Sequence, residues 1–138
     1  MEYKIYDNTS DKKEFYFFMG DIFSYRKYRN ELPYLYNSPD CVWLLFFDDK
    51  GHFIGFNSYE KHKNNCTLKS AYIFEEYREH GYYEQLFNER FKIIEEREGK
   101  QVLKATITND LLTMYKKHGF KETGTRGSYH TVERGINE

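Results

Sequence analysis

The sequence predicts a mixed α/β (α+β) fold, a mostly antiparallel sheet of six to seven strands with helices on both faces. Three observations lead there. Strand-like runs at 41–47, 52–59 and 66–74 follow one another across short polar turns, the pattern of an antiparallel meander. Tyr83, Leu86, Phe87, Arg90, Phe91 and Ile94 then recur at helical spacing, with Gly99 where a C-terminal cap belongs. Residues 101–107 return as a strand, and a strand reached through a helical crossover lies parallel to the one before it, connected right-handed.

The remaining elements follow from local pattern. Tyr3, Lys4, Ile5 and Tyr6 alternate as a short first strand, ended by Asp7-Asn8-Thr9-Ser10, where Thr9 or Ser10 can cap a helix. From 11 to 28, Phe15, Phe18, Met19, Ile22, Phe23 and Tyr25 fall largely on one face, with Lys12, Lys13, Asp21 and Lys27 turned away. A helix packed on the sheet accounts for that stripe. Pro33 and Pro39 then interrupt helical geometry. The run at 41–47 is apolar without interruption, as suits a strand covered on both faces. Residues 110–117 make a short helix with Leu111, Leu112 and Tyr115 inward, and 120–123 pairs with 129–133 as a hairpin across Gly124-Thr125-Arg126-Gly127.

The 138 residues are read as a single domain, 1–138, which removes roughly 68% of its unfolded-chain surface from water. Aromatic residues make up 20% of the chain, so the core is built from rings with Leu and Ile. A net charge of -1 lacks the single-sign field of a general nucleic-acid binder. Cys41 and Cys66 both lie in apolar runs with no export signal before them, so reduced, buried thiols and a cytoplasmic location are expected. No Cys/His spacing suggests zinc, and no apolar run is long enough to cross a membrane.

Between the strand at 66–74 and the helix at 84–97 lies Glu75-Glu76-Tyr77-Arg78-Glu79-His80-Gly81-Tyr82-Tyr83. A helix that begins at such a turn aims unpaired N–H groups and its positive dipole end at whatever lies above, which suits an anion. Gly81 frees the backbone for a close approach. The plainer alternative is a tight connection with no ligand.

The order Ile73-Phe74-Glu75-Glu76-Tyr77-Arg78-Glu79-His80-Gly81 resembles the acyl-CoA signature of the Gcn5-related N-acetyltransferase (GNAT) superfamily, in which an apolar strand end precedes a Pro-Glu-Tyr-Arg-like turn and R/Q-x-x-G-x-G/A. Arg78 and Gly81 stand in family places, Glu75 replaces a frequent Pro, and Tyr83 stands where the family has Gly or Ala. Leu112-Thr113-Met114-Tyr115-Lys116-Lys117-His118-Gly119-Phe120 is similar to a second family segment. The family Asn seven residues before that Tyr falls on Thr108, with Asn109 one residue later. The order of elements is also that of the GNAT fold, and the resemblance covers most of the chain after about Cys41.

The resemblance implies acetyl-CoA as donor and, as acceptor, a primary amine on a small molecule, peptide, protein or modified base. Pyrophosphate is expected on the N–H groups of Arg78, Glu79, His80, Gly81, Tyr82, Tyr83 and Glu84, with the Arg78 side chain near the phosphates. The pantetheine arm is expected beside Ile73 and Phe74 in the manner of an added strand, where a free N–H of either residue polarises the thioester. Asn109 joins the cofactor-binding candidates.

Tyr115 matches the family Tyr proposed to protonate the departing thiolate, a proton that a phenol holds at neutral pH; the competing reading is a core ring. For the base that deprotonates the amine, Glu75, Glu76, Glu60 and a water chain stay open. His80 and His118 are expected to be structural.

Tyr83 separates two functions. If only its N–H faces the phosphate, its ring can enter the core and an enzyme results. If its Cβ meets the pantetheine path, the chain is a catalytically silent GNAT-fold module that works through a protein partner. Acceptor choice lies in residues 11–40 and 125–134, where Tyr25, Tyr28, Tyr34, Tyr36, Arg126 and Tyr129 fit a peptide or a small amine alike. The exposed strands permit a homodimer and are equally consistent with a monomer.

Overall fold

The computed structural model describes residues 1–136. Along the chain run β1 (Glu2–Tyr6), α1 (Lys12–Ser24), α2 (Arg26–Glu31), β2 (Cys41–Phe47), β3 (Phe53–Lys61), β4 (Asn65–Ile73), α3 (Tyr82–Glu98), β5 (Val102–Thr108), α4 (Leu112–Lys117), β6 (Lys121–Arg126) and β7 (Tyr129–Arg134). Single 3₁₀ turns at Glu75–Tyr77 and Asn109–Leu111 precede α3 and α4. The strands form one sheet in the order β1-β2-β3-β4-β5-β7-β6, antiparallel except for the parallel pair β4-β5. This is the meander, crossover and hairpin expected from the pattern.

β2 is buried at every residue because its side chains alternate between two cores. Trp43, Leu45 and Phe47 join Phe15, Met19 and Ile22 of α1 with Phe56 and Tyr72. On the opposite face Val42, Leu44 and Phe46 join Leu86, Phe87, Ile93 and Ile94 of α3, with Tyr115 and Phe120. Helices therefore cover both faces. No helix among the described residues is long and apolar enough to cross a membrane.

Local details differ from expectation for physical reasons. The first helix is capped by Asp11, whose carboxylate accepts the Lys13 N–H at 2.9 Å. Ser10 is unavailable because its hydroxyl accepts the Asp7 N–H, and Thr9 is bound to the Asp7 carboxylate. The helical stretch expected over 11–28 breaks at Tyr25, which is extended (ψ 137°), and α2 restarts in a new direction that sets Tyr28 against Tyr72 and Phe74. The hairpin turns at Gly127-Ser128 rather than across 124–127, because a register shift between Glu122 and Gly124 absorbs Gly124 into β6.

Two irregularities in β4 shape the middle of the sheet. Its pairing with β3 shifts register between Asn57 and Tyr59, leaving a bulge at Lys69-Ser70. Its parallel pairing with β5 spans only Asn65–Thr67 against Val102–Lys104. β4 nevertheless stays paired with β3 as far as Ile73, and β5 with β7 as far as Thr108. Beyond Thr67 the two strands therefore part.

Candidate functional site

The parting strands enclose a cleft of ≈ 160 Å³ lined by Lys69, Ala71, Tyr83, Thr108, Tyr115 and Tyr129, among others. Its backbone chemistry follows from the ladder. The Phe74 N–H donates to Ile54 O of β3 at 3.0 Å. Successive N–H groups of an antiparallel strand point to opposite edges, so those of Tyr72 and Phe74 face β3 while those of Ala71 and Ile73 point to the edge that β5 has left. Of the two expected donors, Phe74 is thus committed to the sheet, and Ile73 is the one whose N–H looks away from it. Gly55 permits this arrangement: a Cβ there would stand 2.4 Å from Tyr72 O.

The turn after β4 leads directly into α3. Glu79 and Gly81 both adopt positive φ (67° and 77°), and Gly81 is the N-cap without any side-chain cap. The first amide to donate back is Gln85, to Gly81 O at 3.4 Å, so the N–H groups of Tyr82, Tyr83 and Glu84 are free of helical acceptors. Nothing lies within 4 Å of where a Gly81 Cβ would be. Glu79, His80 and Glu84 are exposed, and the His80 ring leans on Tyr82 with centroids 6.0 Å apart.

The Arg78 side chain is engaged at the end of β4. Its Nε donates to Ile73 O at 2.8 Å, its Nη2 approaches Glu31 at 3.4 Å, and the guanidinium lies 5.1 Å over the Tyr72 ring. The Tyr72 hydroxyl and Arg78 together hold the Glu31 carboxyl below its usual range. Arg78 therefore ties α2 to the strand end.

Tyr83 and Tyr115 come together in the cleft. Tyr115 is buried on Phe87 and Phe120, with ring centroids 4.9 and 5.1 Å away. Burial, with Tyr115 beside it, pushes the Tyr83 phenol up to about 12. Asn109 is exposed and starts the turn before α4, whereas Thr108 lines the cleft and bonds through its hydroxyl to Asp110.

The candidate bases separate by environment. Glu75 and Glu76 are exposed in the 3₁₀ turn. Glu60 accepts hydrogen bonds from Tyr36 and Ser38 at 2.9 Å each, with His62 at 3.4 Å. Burial opposes its charge, yet those hydroxyls and Lys69 hold its carboxyl below the ordinary range. His118 packs its ring on Phe87 and Phe91.

Several cleft residues escaped the sequence reading. Lys69 sits on a bulge that only the register reveals, and Leu68, Thr106 and Leu111 join it in the lining, whereas Tyr129, an expected acceptor-side residue, reaches the cleft while meeting Tyr34 edge to face at 5.9 Å. Arg90 carried a signal, a charge in the inward phase of α3, which periodicity counted as a core position.

An interior strand edge beside a helix start defines a site suited to an extended ligand with an anionic head. The chain belongs to the acetyltransferase (GNAT) family, whose model matches residues 5–120. No curated protein matches the sequence. Among solved structures, an acyl-CoA N-acyltransferase from Pseudomonas aeruginosa superposes with TM-score 0.76 at 14% identity, covering 97% of this chain and 99% of that one. Escherichia coli ElaA gives TM-score 0.75 at 12% identity over 96% and 98% of the two chains. The Thermoplasma acidophilum PaiA N-acetyltransferase, solved with coenzyme A, gives 0.62 at 19% identity over 98% and 99%.

Proposed function

We propose that the protein is an acetyl-CoA-dependent N-acetyltransferase acting on a primary amine by direct attack, within a single domain. The observation that carries this reading is the end of the β4-β5 ladder after Thr67, which leaves the N–H groups of Ala71 and Ile73 on an open strand edge beside the free N–H groups of α3. The bound form of coenzyme A in PaiA supports the ligand class.

The residues present fit such a ligand. The backbone from Glu79 to Glu84 would take the pyrophosphate, and Arg78 would add its charge by turning from Ile73 O. The edge at Ala71 and Ile73 would hold the pantetheine amides as a strand does. Acetyl-CoA supplies an activated thioester. The Ile73 N–H stabilises negative charge on its carbonyl oxygen as the amine attacks. Tyr115 gives its proton to the departing thiolate, and the nitrogen loses its own proton to Glu75, Glu76, Glu60 or a water chain. Tyr83 keeps its N–H toward the helix start while its ring narrows the cleft.

Calorimetric titration with acetyl-CoA, on wild type and on Gly81→Trp, tests this directly. Saturable binding that the substitution abolishes, followed by CoA release with an amine panel, is expected. Absence of heat and of thermal stabilisation at millimolar acetyl-CoA would overturn the enzyme reading and leave a binding module whose cleft Tyr83 fills.

A further inference from the structure

Arg90 is completely buried beneath the sheet. Its Nη1 donates to Ser58 O at 3.0 Å and to Lys69 O at 3.3 Å, clasping β3 and β4 where their register shifts. Nε and Nη2 have no protein acceptor, and among the described residues no carboxylate stands within ion-pair distance. The neighbouring Asn57 Oδ1 and Ser58 Oγ are likewise buried without a partner. A buried guanidinium without a counter-ion is costly, and two bonds to strand carbonyls offset only part of that cost. Packing alone gives no reason for the charge.

Its position gives one. Lys69, whose carbonyl Arg90 holds, lines the cleft together with Leu68 and Ala71. The charge is also felt in the cleft, since Arg90 opposes the upward push that burial and Tyr115 exert on the Tyr83 phenol. The titratable and charged groups facing this space are Lys69 from β4, Tyr83 from α3, Tyr115 from α4 and Tyr129 from β7, with Asp110 acting on Tyr83 from the turn before α4.

We propose that Arg90 is a positioning residue: it locks the β4 bulge that turns the Ala71 and Ile73 N–H groups toward the ligand, and its fixed charge stabilises the thiolate released when the thioester C–S bond breaks and the C–N bond forms. The proposal rests on the N-acetyltransferase reading.

The test compares calorimetric affinities for CoA, whose thiol ionises, and acetyl-CoA, which has none, across pH in wild type, Arg90→Met and Arg90→Lys. The reference is the thiol of free CoA, titrated in the same buffers. A field that favours the thiolate makes the CoA to acetyl-CoA affinity ratio of wild type rise by roughly tenfold for each unit by which the bound thiol falls below that value. Arg90→Met is expected to abolish most of that rise, and Arg90→Lys to retain part of it. A ratio that responds to pH equally in wild type and Arg90→Met overturns the proposal while leaving the enzyme reading intact. If Arg90→Met does not fold, wild type alone decides: a bound thiol titrating at or above its free value refutes it. Failure of wild type to bind acetyl-CoA at any pH removes both readings together.

Discussion

Tyr115 and Tyr83 carry opposite consequences at the scale of single residues. Tyr115→Phe removes a hydroxyl without removing the ring on Phe87, so acetyl-CoA affinity is expected to hold while kcat falls by about 10²–10⁴. Stopped-flow CoA release beside calorimetry separates the two effects. Tyr83→Ala empties part of the cleft and is expected to improve use of propionyl-CoA relative to acetyl-CoA by about tenfold, the scale of one methylene in an apolar pocket. Competition between the two donors measures it. Asp7 supplies a pH dependence unrelated to catalysis. The Thr9 hydroxyl and N–H, aided by Arg97, lower its carboxyl to about 2. A depressed acid stabilises the fold above its unfolded value of about 3.9 and loses that contribution as pH falls toward the folded value. Asp7→Asn is therefore expected to flatten acid unfolding in that window, as followed by circular dichroism. Arg78, Gly81 and Tyr115 could be singled out in the sequence because their types and spacing are local. Commitment of Arg78 to Ile73 O could not, since its second partner, Glu31, lies far away in the chain.

Elements were legible where periodicity had one clear solution. The unbroken apolar run of β2 foretold burial on both faces, and the helical repeat from Tyr83 to Ile94 foretold α3. The break at Tyr25 was not visible, because Tyr28 packs on Tyr72 and Phe74, residues of a strand that sequence could not place beside it. The β4 bulge was hidden for the same reason, as register is a property of two strands. Gly55 holds the consequence. Its Cβ would meet Tyr72 O at 2.4 Å and the Ile73 side chain at 2.9 Å, so Gly55→Ala must displace the end of β4. A loss of about 1–3 kcal/mol in denaturant unfolding is expected. Weaker acetyl-CoA binding should accompany it, because Ile73 moves with the backbone.

Over the whole molecule, the meander, the parallel crossover and the helices on both faces were legible, whereas the place of β7 between β5 and β6 and the early end of the β4-β5 ladder were not, since strand length in sequence does not say where pairing stops. A ligand bound along Ala71 and Ile73 would slow hydrogen exchange at those amides and raise the melting temperature, with about 2.7 kcal/mol of stabilisation at a hundredfold excess over Kd. The three-residue junction between β4 and β5 is also half the length of the β3-β4 and β5-β7 ladders beside it. The protein is therefore two half-sheets meeting at a narrow seam, spanned on one face by α3. A ligand that bridged this seam would serve as a keystone, and its departure would require the halves to relax apart. Turnover would then be governed by the mechanics of that seam as well as by bond making, and solvent viscosity would slow it.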